Sequence, residues 1–284
     1  MKRLPISITT GLMLLFLLSQ VTGTLGAQIY NPPGGSGGGI VAYSTIYSND
    51  AGYAYNLSSV TWFSAILNLT GIFKYNSSEG GFQEAAFYTA LGQYFSNGTV
   101  SYVQPVIVFF SNGADTGLAW FVQEIQDGHL KYSENETFLS APSYFLELGN
   151  YLINLTISAT LNSENEITQV HVVIIGLFSD HTHVDQTINL PVPIPDQHVF
   201  MEVEDPLNSQ YKPFPFPLIP SNNYLFINGT AIQYGVPISV PYGYAEEFVM
   251  STAHAYAYPT VTQLPDYQLV QGFQYVSISS KYST

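Results

Sequence analysis

The sequence predicts an all-β chain, an antiparallel β-sandwich of jelly-roll or concanavalin-like form with long loops. Three observations predict it. Tyr (22) and Phe (18) are abundant, and aromatic residues fit the pleated, half-buried surface of a strand. Apolar runs are cut repeatedly by Gly, Pro, Asn and Asp turn signals. Only residues 81–93 carry a helical pattern, so helical crossovers between parallel strands are not expected. A hydrophobic share of 46% is ample for a core.

Residues 1–27 read as a secretory signal. Lys2 and Arg3 form the positive start, Gly11–Leu18 the short apolar run, and Leu25-Gly26-Ala27 the small-residue site, with cleavage before Gln28. The apolar run is too short for a membrane span and no second one follows, so no span is expected after cleavage. Residues 28–39 are rich in Pro and Gly and read as a flexible entry segment. They lack the Gly-Lys-Ser/Thr ending of a phosphate loop. Residues 40–284 form the sandwich, with no boundary drawn inside it.

Its strands are expected at 41–47, 60–67 and 71–75, then at 99–110, where Pro105 points to an edge or a bulge. Ser111-Asn-Gly-Ala-Asp-Thr-Gly117 turns the chain, and 118–125 returns as the partner strand. Further strands are expected at 137–139, 151–161, 167–177, 182–190, 198–203, 224–227, 232–240, 245–250 and 268–278. Pro-rich loops fill 191–195 and 213–220.

The charge balance sets the working environment. Beyond the leader there are four lysines (Lys74, Lys131, Lys212, Lys281) and no arginine, against 20 Asp and Glu. A neutral-pH surface normally mixes both signs. Below about pH 3 most carboxylates are neutral, and little charge is left to repel itself. The reading is a secreted protein of an acidic environment. Nucleic acid is excluded as a partner, since no basic patch exists to neutralise phosphates. There is no cysteine, so neither disulfides nor thiol chemistry contribute. Asn56, Asn68, Asn76, Asn97, Asn135, Asn154 and Asn228 stand in Asn-X-Ser/Thr sequons and are candidate glycosylation sites in an exported chain.

Several constellations carry possible chemistry. Asp115-Thr116-Gly117 matches the aspartic-protease triplet, but that machine needs two copies and this one sits in turn chemistry. In Trp120-Phe-Val-Gln-Glu-Ile125, Gln123 and Glu124 point to opposite faces of a strand. In Tyr242-Gly-Tyr-Ala-Glu-Glu-Phe248, Glu246 and Glu247 do the same, so one carboxyl sits among apolar neighbours with a raised pKa. His181-Thr-His183-Val-Asp185 has the alternation of a zinc site, but imidazoles protonate in acid and release metal. The histidine strand therefore reads as solvated, and no metal or other cofactor is expected. No Gly-X-Ser-X-Gly elbow is present.

The pattern resembles the thermopsin family, secreted acid proteases of acid- and heat-loving archaea. The carriers are Gly39-Ile-Val-Ala-Tyr43, the strand–turn–strand from Val106 through Ser111-Asn-Gly113 to Ile125, Phe200-Met-Glu-Val203, and Tyr242–Phe248. Asp205-Pro206 departs from the Gly-Gly of the family, and Glu124 stands where it has Asp or Asn. The middle and last motifs also resemble the glutamic (eqolisin-type) proteases, which use a Gln and a Glu from strands of a β-sandwich. That resemblance implies Gln123 and Glu246 as the catalytic dyad, with Glu247 as the alternative to Glu246, and a substrate groove along Trp120, Glu124 and Tyr244. It implies hydrolysis of polypeptides in acid, with Glu246 as general base to a water and the Gln123 amide stabilising the oxyanion. The two side chains must then meet within about 4–6 Å, directly or through one water. The competing reading is a non-catalytic glycosylated surface, adhesion or carbohydrate-binding sandwich, whose exposed tyrosines stack on sugars.

Overall fold

The computed structural model describes residues 40–69, 74–133, 137–139, 152–176, 182–208, 210–218, 223–241, 243–263 and 269–276. The expected leader, the entry segment, most of the strand at 71–75, and His181 lie outside these residues. So does Asn135.

Seventeen strands run in chain order: β1 (Ile40–Ser48), β2 (Asp50–Asn56), β3 (Val60–Asn68), β4 (Gln83–Tyr94), β5 (Val100–Ser111), β6 (Thr116–Gln126), β7 (His129–Ser133), β8 (Thr137–Leu139), β9 (Leu152–Leu161), β10 (Glu166–Gly176), β11 (Thr182–Pro195), β12 (His198–Glu204), β13 (Asn223–Gln233), β14 (Val236–Val240), β15 (Gly243–Ser251), β16 (Tyr256–Gln263) and β17 (Leu269–Val276). They form two layers. In the first, β6 carries β7 and β8 on one side and β5 on the other, and the order continues β4, β12, β2, β15, β1. In the second, β11, β10, β9, β3 and β13 are neighbours, and β13 also pairs with β14 and β17. β16 links β17 back to β15. Every pairing is antiparallel except β1 with β15, which is parallel.

The layers bury alternate residues of their strands against each other. Tyr55, Phe87, Leu91, Ile107, Trp120 and Met201 from the first layer pack with Phe63, Leu155, Val172 and Phe226 from the second. The opposite face of the first layer is also buried. Ala54, Tyr88, Tyr102, Phe121, Phe200 and Phe248 form a second cluster drawn from that layer alone. Tyr94 on β4 and Phe248 on β15 are separated by β12 and β2, yet their rings meet edge-on with centroids 5.5 Å apart. The first layer therefore curls around this outer face.

Four expectations change. The Pro-rich loop expected at 191–195 is the end of β11, where Ile194 and Pro195 pair with Ile167 and Glu166 of β10. Residues 83–94 form a strand, because both faces of β4 are buried and its apolar residues need not alternate. Pro105 lies in the middle of β5, with β4 and β6 on either side; the β4 ladder has no bonded pair between Tyr88–Val106 and Leu91–Val103, where its missing N–H falls. The single strand expected at 232–240 is a hairpin, turned at Tyr234-Gly235.

Candidate functional site

The outer face of the first layer gathers a group of buried ionisable side chains, among them Asp50, His198, Glu202 and Glu204. Alternation along β12 sends His198, Phe200, Glu202 and Glu204 to this face, while Val199, Met201 and Val203 enter the main core. Tyr88 of β4 and Gly52 of β2 flank Glu202 in register, and Ala86 and Asp50 flank Glu204. Gly52 is required by the close approach. A Cβ there would stand 2.7 Å from Glu202 Cγ and would also strike the Met201 carbonyl oxygen.

The Tyr88 hydroxyl contacts both Asp50 Oδ1, at 3.2 Å, and Glu202 Oε2 in a short hydrogen bond. One hydroxyl hydrogen cannot serve two carboxylates. One carboxyl must carry a proton and donate it to the tyrosine oxygen. Burial pushes Asp50 up to about 7, against hydrogen bonds from Tyr88 and Ser48 that lower it. Burial pushes Glu202 well above the carboxylate range, and the charge of Asp50 adds to this. Glu202 Oε1 is buried with no hydrogen-bond partner.

The cluster continues along the strand. Asn49 Nδ2 donates to Glu204 Oε1 at 3.1 Å, and Thr252 Oγ1 donates to Asp205 Oδ2 at 2.6 Å. Burial, followed by neighbouring carboxylates, raises Glu204 well above its ordinary value. Burial also raises Asp205, against the hydrogen bond from Thr252. Beyond Asp205, Glu79 Oε2 is 2.7 Å from His254 Nδ1.

Gln123 also faces this side, between Phe121 and Ile125, and is buried. Its carbonyl accepts a 2.9 Å hydrogen bond from Gln104 Nε2, and Gln104 Oε1 has no partner. Glu246 shares the face from β15. However, β5, β4, β12 and β2 all lie between β6 and β15. Five strand steps are roughly 24 Å measured along the sheet, but the ladder sets Gln123, Gln104, Ala90, Phe200, Ala54 and Glu246 in one row, and the curl of the layer turns the two ends of that row towards each other.

Glu246 has another neighbour. Its Oε2 lies 3.6 Å from His198 Nε2, while His198 Nδ1 accepts the Tyr94 N–H at 3.2 Å. Burial raises Glu246 and lowers His198 to about 4. Glu247 points to the other side of β15, where Thr45 Oγ1 reaches its Oε1 at 3.5 Å; burial raises it too.

The residues expected to line a groove scatter. Trp120 and Glu124 alternate with Val122 onto the face of β6 turned to the second layer; Trp120 belongs to the main core, and Glu124 is a buried carboxyl raised by burial. Tyr244 is 58% exposed and stacks on Tyr43 with centroids 5.5 Å apart. Asp115 lies in a turn closed by Asn112, whose Oδ1 accepts the Ala114 and Asp115 N–H groups. Asp185 is held by His171 at 2.7 Å.

The sequons also differ. Asn56 and Asn97 are exposed, and Asn68, Asn154 and Asn228 are half-buried. Asn76 is buried, with its Oδ1 accepting from the Ser78 N–H and hydroxyl. It offers no amide for a glycan in the folded chain.

Asp50, Tyr88 and Gln104 carry no motif. The signal that was present is Glu202-Val-Glu-Asp205: alternation puts its two glutamates on one face.

No family model matches the chain, and no curated protein matches it. Solved structures do. Scytalidoglutamic peptidase with a peptide-based transition-state analogue superposes with a TM-score of 0.54 at 13% identity, covering 80% of this chain and 98% of that one. The same peptidase with a transition-state analogue inhibitor gives 0.52 at 13% identity over the same shares. At that identity the likeness establishes the β-sandwich fold.

Proposed function

We propose that the chain is an acid endopeptidase of the thermopsin and glutamic-peptidase kind, exported and working at low pH, with Asp50 and Glu202 as its water-activating carboxyls. The observation that carries this reading is the Tyr88 hydroxyl shared by the two buried acids. Such a pair holds one proton over a wide pH range, because both members cannot ionise side by side.

A singly protonated pair supplies both halves of acid–base hydrolysis. The ionised carboxyl takes a proton from water as its oxygen bonds to the peptide carbonyl carbon, and the neutral carboxyl protonates the carbonyl oxygen. On collapse the C–N bond breaks and a proton passes to the leaving amine. Burial is the largest cause of both raised values, so admitting substrate and water to this face brings the first titration down towards the ordinary carboxylate range. The fold shared with peptidases supports polypeptide as the substrate class. The charge balance supports the acid setting, and the amino-terminal leader supports export.

The test is cleavage of denatured haemoglobin across about pH 1–7 by wild type, Glu202→Gln and Asp50→Asn. Each carboxyl substitution should cost at least about 100-fold in kcat, with circular dichroism unchanged. Wild-type rates in both variants would remove the pair from the mechanism.

A second reading is a sandwich that has kept the peptidase fold without the activity. Phe200 and Phe248 favour it: both are buried and fill the face between Glu202 and Glu246. Absence of cleavage by wild type throughout that pH range decides for it.

A further inference from the structure

A cleft of about 530 Å³ opens away from the carboxyl cluster, within the volume range of small-ligand sites. Its walls come from three segments: the end of β2 and the turn after it (Asn56, Ser58), the β9–β10 hairpin (Glu164, Asn165, Glu166), and the end of β11 with the link to β12 (Pro195, Gln197). Apart from the Pro195 ring these are carboxamides, carboxyls and a hydroxyl, with no cation among them.

The walls are fixed in place. Asn165 has φ 63°, and its side chain accepts from Ser59 Oγ at 2.7 Å and donates to the Asp196 carbonyl at 3.2 Å. Glu166 Oε2 accepts from Asn162 Nδ2 at 2.9 Å. Polar groups held by their neighbours are pre-organised for a ligand.

Two tyrosines are tied to the same walls. Asn56 Nδ2 donates to the Tyr43 hydroxyl at 3.0 Å, and the Tyr234 hydroxyl lies 3.3 Å from Ser58 Oγ. Tyr234 is 73% exposed and sits at φ 50°, a left-handed position that disfavours bulky residues. Its backbone N–H bonds to the Ser59 carbonyl at 3.3 Å. The left-handed φ belongs to the two-residue turn between β13 and β14, which holds the ring exposed and anchored beside the polar cleft.

We propose that this cleft binds a neutral saccharide. Clustered amide, carboxyl and hydroxyl groups match the alternating donors and acceptors of sugar hydroxyls, and tyrosine rings offer the apolar platform for a sugar face. The two glutamates disfavour an anion. A protonated carboxyl still donates and accepts, so the recognition survives acid, where ion pairs are lost. Asn56 is itself exposed and heads a sequon, so the saccharide has two possible sources, a free glycan or the chain's own glycan on Asn56.

The full chain, made in a host that does not glycosylate, is titrated with neutral hexasaccharides of glucose, mannose and N-acetylglucosamine by calorimetry. The native secreted protein is analysed by mass spectrometry at Asn56. A free ligand is indicated if one oligosaccharide binds and Tyr234→Ala or Gln197→Ala weakens it at least about tenfold, the share of one stacked ring or paired amide. The chain's own glycan is indicated if Asn56 is modified and resists glycosidase in wild type but not in Tyr234→Ala. Thermal melts of both variants should match wild type, since these side chains are exposed. Glu202→Gln should bind like wild type, which separates this site from the peptidase reading. No oligosaccharide binding together with an unmodified or unprotected Asn56 overturns the proposal, as does binding that neither variant changes.

Discussion

Glu202 lies against Gly52 so closely that a single added carbon at position 52 would come within 2.7 Å of its Cγ. The glycine makes room for a buried carboxyl on the strand alongside. Gly52→Ala should therefore push Glu202 away from Tyr88 and cost about 1–3 kcal/mol, the usual range for overpacking. Urea denaturation at about pH 4 measures it, and an unchanged midpoint would show that the β2 and β12 backbones can part to admit the methyl group, since the Met201 carbonyl oxygen stands closer still.

Tyr88→Phe removes the hydroxyl that serves Asp50 and Glu202 and leaves two buried carboxyls without it. The expected loss is about 1–3 kcal/mol of stability. In the proposed mechanism kcat falls at least about tenfold with KM little changed, because the hydroxyl positions the pair and does not bind substrate. Denaturation and steady-state kinetics on the same preparation separate the two effects.

Stability should fall as pH rises from acid to neutral. Asp50, Glu202, Glu204, Asp205 and Asp196 all have folded-state values raised above the unfolded ones. The folded state then binds more protons, so this stabilisation is complete below about pH 4 and is lost as pH climbs through the folded values, which are about 7 for Asp50 and Asp196. His198, lowered to about 4, works in the opposite sense between about pH 6.5 and 4, but it is one group against these five and the raised Glu124, Glu246 and Glu247. Melting temperatures recorded across this range should decline towards neutrality; a rise would contradict the burial of these acids.

Asp196 isolates a single contribution. Its Oδ2 accepts the Val60 N–H at 2.6 Å, and burial lifts its value to about 7. A shift of that size corresponds to about 4 kcal/mol once the group is forced to ionise. Asp196→Asn keeps an acceptor for Val60 and cannot ionise. It should match wild type near pH 3 and exceed it at pH 7 by up to that amount, as read from denaturation midpoints.

The strand pattern was legible where one face of a strand alternates with the other, as in β9 and β10. It failed at β4, where an apolar run without alternation reads as a helix, and at β2, whose Ala-Gly-Tyr-Ala-Tyr run is short and apolar on both faces. The site was less legible. Glu246 and Gln123 were correctly read as polar residues in apolar strands, but a local motif holds no information about how many strands lie between two others. Asp50 meets Glu202 only because β2 and β4 flank β12, a pairing between segments more than a hundred residues apart that no local spacing encodes.

The strand β2 is bonded on one side to β12 and on the other to β15, and β1 also rests on β15. The earliest two strands thus find no ladder partner until β12 and β15 have been made. Such long-range closure is slow, so Asp50 and Glu202 stay apart until synthesis has entered the last third of the molecule.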